Sequence, residues 1–139
     1  MKFQYADKRV IDIICSGLGL IVLSPILIIT SILIRKNLES PKYFTQDRIG
    51  KNRKVFKMIK FRTMLDASDK YGNQLLDEER LTSSGKLLRN ISIDESSELV
   101  NIFLGNMDLV GPRPLLVEYK ELYSKEQWSR HKVKPGITR

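Results

Sequence analysis

The sequence has few of the residues from which small domains build disulfides, metal centres or nucleophilic triads. Its 139 residues include one cysteine, Cys15, and one histidine, His131. These counts exclude an intramolecular disulfide framework, a cysteine-based zinc site and a metal cluster of histidines. The sequence also has no glycine-rich Walker sequence, no G-x-S-x-G and no H-E-x-x-H. P-loop, serine-hydrolase and zinc-protease chemistries are therefore not expected.

The charge is concentrated in one stretch of the chain. Hydrophobic residues make up 42% of a sequence whose length suits one domain, so a disordered chain is excluded. The net charge is +8, and residues 35–62 contain ten basic and two acidic residues, an excess equal to that net charge. This stretch directly follows an apolar one, which favours a membrane surface with anionic headgroups over nucleic acid. The alternative is that these basic residues are only the solvent-exposed face of a β-hairpin.

The apolar stretch, residues 13–34, has no charged residue. As a helix it would be roughly 33 Å long, enough to cross a bilayer and too long for a signal peptide. Ser24 and Pro25 lie at its middle, and proline interrupts helices. Basic residues flank both ends, which places both on the cytoplasmic side. We expect a re-entrant helix-break-helix, with a simple transmembrane span as the alternative.

The rest of the chain predicts a small α+β domain that is mainly helical. Residues 42–46 and 55–61 are β-prone and flank a turn at residues 50–53, which predicts a hairpin. Helices are expected at residues 81–90, after Ser92 as far as Gly105, and over residues 115–130, where apolar residues repeat at helical spacing. Residues 65–80 are polar and predict a loop or a pair of short helices.

Asp94 and Glu95 form the strongest candidate for chemistry. Ser92 and Glu95 have the S-x-x-E spacing of a capping box, so one interpretation is that both carboxylates only stabilise a helix start. The other is catalytic, because the N–H groups at a helix start suit a phosphate. One of the two carboxylates would then attack phosphorus while its neighbour holds a divalent cation.

Arg113 is the second candidate, since Pro112 and Pro114 hold it in a rigid loop. It is either a solvated side chain on a polyproline spacer or a bidentate clamp for a phosphate.

Eight segments, in order and over nearly the whole chain, resemble the bacterial sugar transferases, the monotopic polyprenyl-phosphate phosphoglycosyl transferases. They are Lys8-Arg9-Val10-Ile11-Asp12, Leu23-Ser24-Pro25, Phe44-Thr45-Gln46-Asp47-Arg48-Ile49-Gly50, Lys60-Phe61-Arg62-Thr63-Met64, Gly85-Lys86-Leu87-Leu88-Arg89, Ser92-Ile93-Asp94-Glu95, Val110-Gly111-Pro112-Arg113-Pro114 and Pro135-Gly136-Ile137-Thr138. One departure is Ser96-Ser97-Glu98, where the family usually has Leu-Pro-Gln.

The resemblance implies a two-step reaction. Asp94 would attack the sugar-linked phosphate of a UDP-sugar, release UMP and keep the phosphosugar, which polyprenyl (undecaprenyl) phosphate would then accept. Glu95 would bind Mg²⁺, and Arg89, Arg113 and Arg62 would bind phosphates. Such a reaction initiates bacterial exopolysaccharide, capsule, lipopolysaccharide or other glycoconjugate synthesis.

The resemblance also implies an organisation and a location. Residues 1–36 would be a re-entrant anchor kinked at Ser24 and Pro25, and residues 37–139 a catalytic domain whose C-terminal part is missing. The protein would lie on the cytoplasmic face of the bacterial inner membrane, in contact with membrane lipids and without nucleic acid. The alternative is a non-catalytic, membrane-anchored basic module that binds anionic lipid or nucleic acid, and this alternative does not need Asp94.

Overall fold

A computed structural model of the chain describes residues 2–38 and 43–138. The helices are α1 (Lys2–Leu38), α2 (Asp77–Arg80), α3 (Ser83–Asn90), α4 (Glu98–Leu104) and α5 (Lys125–Ser129). The strands are β1 (Tyr43–Ile49), β2 (Val55–Phe61), β3 (Asp108–Val110) and β4 (Gly136–Thr138). Short 3₁₀ turns lie at Lys51–Arg53, Ile93–Glu95, Val117–Leu122 and Arg130–Lys132. The predicted mainly helical fold with a small hairpin is confirmed, although Lys42 lies outside the described residues.

Helix α1 is continuous through Pro25, so the predicted break between two helices is wrong. A proline removes one helical hydrogen bond and bends the axis without ending the helix, because unpaired backbone groups in an apolar segment cost more than a bend. Ala6–Leu38 is long and apolar enough to cross a membrane, and only 17% of its most apolar window is buried. A core helix of a soluble protein would bury most of that surface, so the exposed apolar face indicates membrane association.

The contacts divide the chain into two compact units. The first unit comprises Met1–Leu23, Thr45–Ile59 and Glu98–Arg139, and the second comprises Ser24–Phe44 and Lys60–Ser97.

In the first unit, polar side chains of α1 hold the end of α4 and the start of β3. Arg9 donates to the carbonyl oxygens of Ile102 and Phe103, at 2.6 and 2.7 Å. These carbonyls belong to the last turn of α4, where the Ile102 carbonyl also accepts from the backbone N–H of Gly105. Asp12, which directly precedes the apolar stretch of α1, is buried and accepts a hydrogen bond from the backbone N–H of Leu109. Arg9 and Asp12, charged residues just before the apolar stretch, therefore hold neighbouring backbone groups of the first unit.

The core of the first unit is built on β2 and α4. Met58, Ile102 and Met107 are buried together. Asn101 is buried among them, and its side-chain amide accepts from the backbone N–H of Ile59 at 2.9 Å and donates to the carbonyl of Lys57 at 2.8 Å. Both groups belong to β2, so one amide joins the helix to the strand without leaving a buried polar atom unpaired.

A parallel pair of short strands also belongs to the first unit. Strand β3 pairs with β4, with Asp108 opposite Gly136 and Val110 opposite Thr138. A Cβ on Gly136 would lie 2.0 Å from the backbone nitrogen of Gly111, so both strands need glycine where they meet. Two separate segments of the family resemblance therefore form one local structure.

The region predicted as one amphipathic helix, residues 115–130, is not one helix. It forms the 3₁₀ turn Val117–Leu122 and then α5. Ser124 starts α5 with a capping box, because its hydroxyl accepts from the backbone N–H of Gln127 and the Gln127 side chain accepts from the Ser124 N–H. A cap needs an extended residue before the helix, and that requirement ends the preceding turn at Tyr123.

The second unit packs the C-terminal half of α1 against the end of β2 and against α3. Its buried core consists of Ile34, Leu38, Phe61 and Leu88, and Leu27 and Ile93 pack on it. Ile93 immediately precedes Asp94, so this core fixes the backbone of the turn that contains the two candidate carboxylates.

Candidate active site

Asp94 and Glu95 lie in the 3₁₀ turn Ile93–Glu95, which follows α3 and precedes α4. The capping box, one of the two interpretations of this spacing, does not form, because Ser92 adopts a left-handed conformation with φ 56° and its side chain makes no capping bond with a described residue. The cause lies in the preceding helix: the Ser92 N–H donates to the carbonyl of Arg89 and closes the end of α3. The two carboxylates therefore do not serve as the cap.

Glu95 faces a lysine from the end of β2. Its Oε1 is 3.3 Å from the Nζ of Lys60, and the Lys60 side chain is 18% exposed against 36% for Glu95. Partial burial strengthens this charge pair relative to one at the open surface. It also directs the Glu95 carboxylate toward Lys60.

Asp94 is half-buried, and this raises the pKa of its carboxyl above the usual value. Burial is the largest cause, the positive charge of Lys60 opposes it, the negative charge of Glu95 adds to it and Arg89 opposes it. A carboxylate with a raised pKa is more basic, and hence a better nucleophile, than a solvated one, while the nearby cations favour its ionised form.

Arg89 is positioned by a threonine. Its Nε donates to the Oγ1 of Thr63, at 3.1 Å. The backbone of Thr63 approaches α3 so closely that a Cβ on Gly85 would lie 2.0 Å from the Thr63 carbonyl oxygen. Gly85 therefore permits the contact that holds Arg89 on the same side of α3 as the end of β2.

Of the other two predicted phosphate-binding residues, Arg62 belongs to the second unit and Arg113 to the first. The Nη2 of Arg62 lies 3.6 Å from the Oδ2 of Asp66. Arg113 is exposed in the loop after β3. The pKa of Arg48 is lowered first by the burial of Arg48 and then by the positive charge of Arg113, and the negative charge of Glu98 opposes this shift. The structure thus brings Asp94, Glu95 and Arg89 into one electrostatic group and gives Arg62 a separate partner.

Sequence reasoning missed two residues that contact this group, namely Lys60, which pairs with Glu95, and Thr63, which accepts from Arg89. The strand pattern contained the signal for Lys60, because neighbours in a strand point to opposite faces and Phe61 is the core residue. Lys60 and Arg62 therefore share the face opposite Phe61. Thr63 had no comparable signal, since its role depends on the approach of α3.

The carboxylates suit a cation that is shared with a substrate. Among the described residues, no three His, Cys, Asp or Glu side chains gather into a metal site of their own. Mg²⁺ commonly uses one or two carboxylates and completes its shell with water and substrate phosphates. Asp94 and Glu95 supply such a pair of oxygen ligands, so this donor set fits Mg²⁺ bound together with a diphosphate.

A comparison with known families matches residues 3–139 to the bacterial sugar transferases. The chain belongs to the bacterial sugar transferase family. The match covers the elements described above except the first residue of α1, and it includes the turn with Asp94 and Glu95 and the β3–β4 pair.

Curated relatives in this family are similar over 94% of the chain. The uncharacterized sugar transferase EpsL of Bacillus subtilis (strain 168) is 47% identical over 131 residues. The UDP-glucose:undecaprenyl-phosphate glucose-1-phosphate transferase of Klebsiella pneumoniae is 40% identical over 136 residues. The UDP-N-acetylgalactosamine-undecaprenyl-phosphate N-acetylgalactosaminephosphotransferase of Aeromonas hydrophila is 34% identical over 136 residues. The chain spans 65%, 29% and 32% of these relatives, respectively.

Proposed function

We propose that the chain transfers a phosphosugar from a UDP-sugar to polyprenyl phosphate, with Asp94 as the nucleophile. The observation that carries the proposal is a half-buried carboxylate with a raised pKa, set among Lys60, Arg89 and a second carboxylate. The names of the Klebsiella pneumoniae and Aeromonas hydrophila relatives support the donor and acceptor classes, since both include a UDP-sugar and undecaprenyl phosphate.

In the first step, a carboxylate oxygen of Asp94 attacks the phosphorus that bears the sugar. The bond from this phosphorus to the bridging oxygen breaks, UMP leaves and Asp94 carries the phosphosugar as an acyl phosphate. In the second step, a phosphate oxygen of the polyprenyl phosphate attacks the same phosphorus. The bond to Asp94 breaks, the carboxylate is restored and the product is a sugar linked to the lipid by a diphosphate.

The neighbouring charges assist by stabilising oxygen atoms that become more negative during the transfer. We assign Arg89 and Lys60 to this task because their charges already act on Asp94, and an organised positive charge in a partly buried site lowers the barrier more than the same charge in water. Arg62 and Arg113 remain predicted phosphate-binding residues. When bound, Mg²⁺ would supply charge neutralisation of the diphosphate, held by Glu95 with Asp94 beside it.

The apolar helix gives the reaction its location. We propose that residues 1–36 anchor the chain in the bacterial inner membrane and that residues 37–139 work on its cytoplasmic face. Exposed apolar side chains along α1 contact lipid in this arrangement, and basic residues 35–62 face anionic headgroups. A lipid-linked acceptor is then confined to the surface where the enzyme lies.

UMP release tests the proposal. The full chain in lipid nanodiscs is incubated with Mg²⁺, undecaprenyl phosphate and each member of a panel of UDP-sugars. We expect UMP with at least one donor, and a loss on the order of 10³-fold or more in Asp94→Asn. Asp77→Asn is the matched control, because Asp77 belongs to the same unit and its side chain is 79% exposed. No UMP with any donor would refute the enzyme and leave the non-catalytic basic module. Equal rates of UMP release for Asp94→Asn and wild type would refute Asp94 as the nucleophile.

A further inference from the structure

The first unit contains a cavity of about 280 Å³ that the proposed reaction does not use. It lies where the turn of the hairpin meets α5 and the 3₁₀ turn that follows α5. Asn52 and Arg53 line it from the hairpin, and Lys125, Trp128, His131 and Lys132 line it from the C-terminal segment. Asp94 and Glu95 belong to the second unit.

The cavity is strongly basic. The described residues that line it include three cations, Arg53, Lys125 and Lys132, and no carboxylate. The guanidinium carbon of Arg53 lies 4.4 Å from the centroid of the Trp128 ring, so a cation–π contact orders this side chain before any ligand arrives. Three cations without a counter-charge repel one another, and an anion at this place would relieve the repulsion.

A buried imidazole adds a donor without a partner. His131 is 6% exposed, and its Nε2 is buried with no hydrogen-bond partner among the described residues. Burial, together with Arg130 and Arg53, lowers the pKa of His131, so the ring is neutral at neutral pH. A neutral imidazole has one N–H, and because the His131 ring lines the cavity, that N–H would be a donor for an anion bound there. Leaving such a group unpaired costs free energy, which indicates a ligand.

The hairpin turn places Arg53 at the cavity. Asn52 has φ 56° and Arg53 has φ 64°, so two consecutive residues with side chains are left-handed. They are the central pair of a turn closed by a hydrogen bond from the Lys54 N–H to the Lys51 carbonyl, and this left-handed pair suits the twist of a β-hairpin. Here it brings the Arg53 side chain onto Trp128.

We propose that this cavity binds a phosphoryl anion, either a free phosphate or the headgroup of an anionic lipid. The His131 imidazole, the Arg53 guanidinium and the Lys125 and Lys132 ammonium groups supply donors of the kinds that phosphate oxygens accept. Trp128 forms one wall and holds Arg53. No residue of the cavity takes part in the proposed transfer of the phosphosugar, so the two proposals can fail separately, although Arg53 also belongs to the basic residues 35–62 that face anionic headgroups.

The sequence provides two spectroscopic probes for the test, since His131 is the only histidine and Trp128 the only tryptophan. The full chain in neutral nanodiscs is titrated with inorganic phosphate, and with chloride at matched ionic strength. A second titration uses nanodiscs with increasing phosphatidic acid. The readouts are the imidazole resonances of His131 and the fluorescence of Trp128. Lys132→Ala is the test variant, and Lys120→Ala, which removes an exposed charge from the same unit, is the control.

We expect a saturable change in both signals with phosphate and none with chloride. Lys132→Ala should weaken binding roughly tenfold, the loss of one charge-assisted bond, and Lys120→Ala should leave it unchanged. A response to phosphatidic acid alone would assign the site to a lipid headgroup. If neither phosphate nor phosphatidic acid gives a saturable change, or if both variants weaken binding equally, the proposal is wrong. Arg53→Gln provides a second test if Lys132→Ala does not fold.

Discussion

At the scale of single residues, Asp94 combines a negative charge with partial burial, and this has a consequence for stability. Because the pKa of its carboxyl is raised in the folded chain, the ionised form is less favourable there than in the unfolded chain. The stability linked to the protonated form is complete below the unfolded pKa of about 3.9 and is lost as the pH rises through the folded pKa. At pH 7 the wild type therefore lacks this contribution.

Asp94→Asn should consequently be more stable than the wild type at pH 7, by less than about 1 kcal/mol because water screens a half-exposed group. Thermal unfolding in detergent at pH 7 and pH 3.5 measures the effect, and the gain should vanish at pH 3.5. Asp77→Asn, the exposed counterpart, should show no gain. A lower melting temperature for Asp94→Asn than for wild type at pH 7 would contradict the inference that the ionised Asp94 carboxylate lowers the stability of the folded chain.

Lys60 has a separate and measurable effect on the same carboxyl. Its positive charge lowers the pKa of Asp94, so Lys60→Met should raise that pKa further. Because a protonated carboxyl does not attack phosphorus, the acid limb of the pH profile of kcat/KM should move to higher pH. Lys86→Met, which removes an exposed lysine from α3, is the control. An acid limb that stays in place, or moves lower, would show that Lys60 does not act on the nucleophile.

At the scale of elements, the contact between α4 and β2 depends on the Asn101 amide. Asn101→Ala removes the partners of two buried backbone groups, the Ile59 N–H and the Lys57 carbonyl. The unpaired groups should lower the free energy of unfolding by about 2 to 4 kcal/mol. Urea unfolding in detergent measures it, with Asn106→Ala as the exposed control. Equal midpoints for the two variants would mean that the amide does not hold the helix to the strand.

Helix α1 presents the remaining question at this scale, because a continuous helix with a central proline suits either a bend or a span. Basic residues at both ends favour the bend, with Asp7 and Lys36 on the cytoplasmic side. Single cysteines at these positions, on a Cys15→Ser background, should both react with an impermeant reagent from the cytoplasm. Adding Pro25→Ala should move the residue 36 label toward the periplasm. If residue 36 reacts only from the periplasm with Pro25 present, the helix spans.

Local signals in the sequence predicted some elements and misled at others, as two similar motifs show. Ser124 and Gln127 form a true capping box, while Ser92 and Glu95 have the same spacing and do not. The difference arises from surroundings that the motif does not contain. The residue before α5 is extended, whereas Ser92 closes the end of α3, and Glu95 faces Lys60. At Ser92 and Glu95, contacts with residues outside the motif outweigh the tendency of the S-x-x-E spacing to form a capping box.

At the scale of the whole molecule, the long apolar helix, the strand at Val55–Phe61 and the stop at Gly105 followed from composition and local pattern. The β3–β4 pair could not be predicted in this way, because it joins residues that are distant in the sequence, such as Asp108 and Gly136. No periodicity in the sequence indicates which segment pairs in parallel with another. For the candidate site, the sequence identified Asp94, Glu95 and the nearby Arg89 as candidate residues. It did not predict that they lie close to Lys60, because that arrangement depends on the packing of α3 against the end of β2.

The central claim is that the Asp94 carboxylate forms a covalent bond to the phosphosugar, and intact-protein mass spectrometry tests it most directly. The full chain is incubated with Mg²⁺ and the UDP-sugar that supports UMP release, without a lipid acceptor. We expect the wild type and Asp77→Asn to gain the mass of one phosphosugar, and undecaprenyl phosphate to remove it. Asp94→Asn should gain nothing, whereas Glu95→Gln should still form the adduct more slowly. An adduct that persists in Asp94→Asn, or that maps to Glu95, would contradict the account.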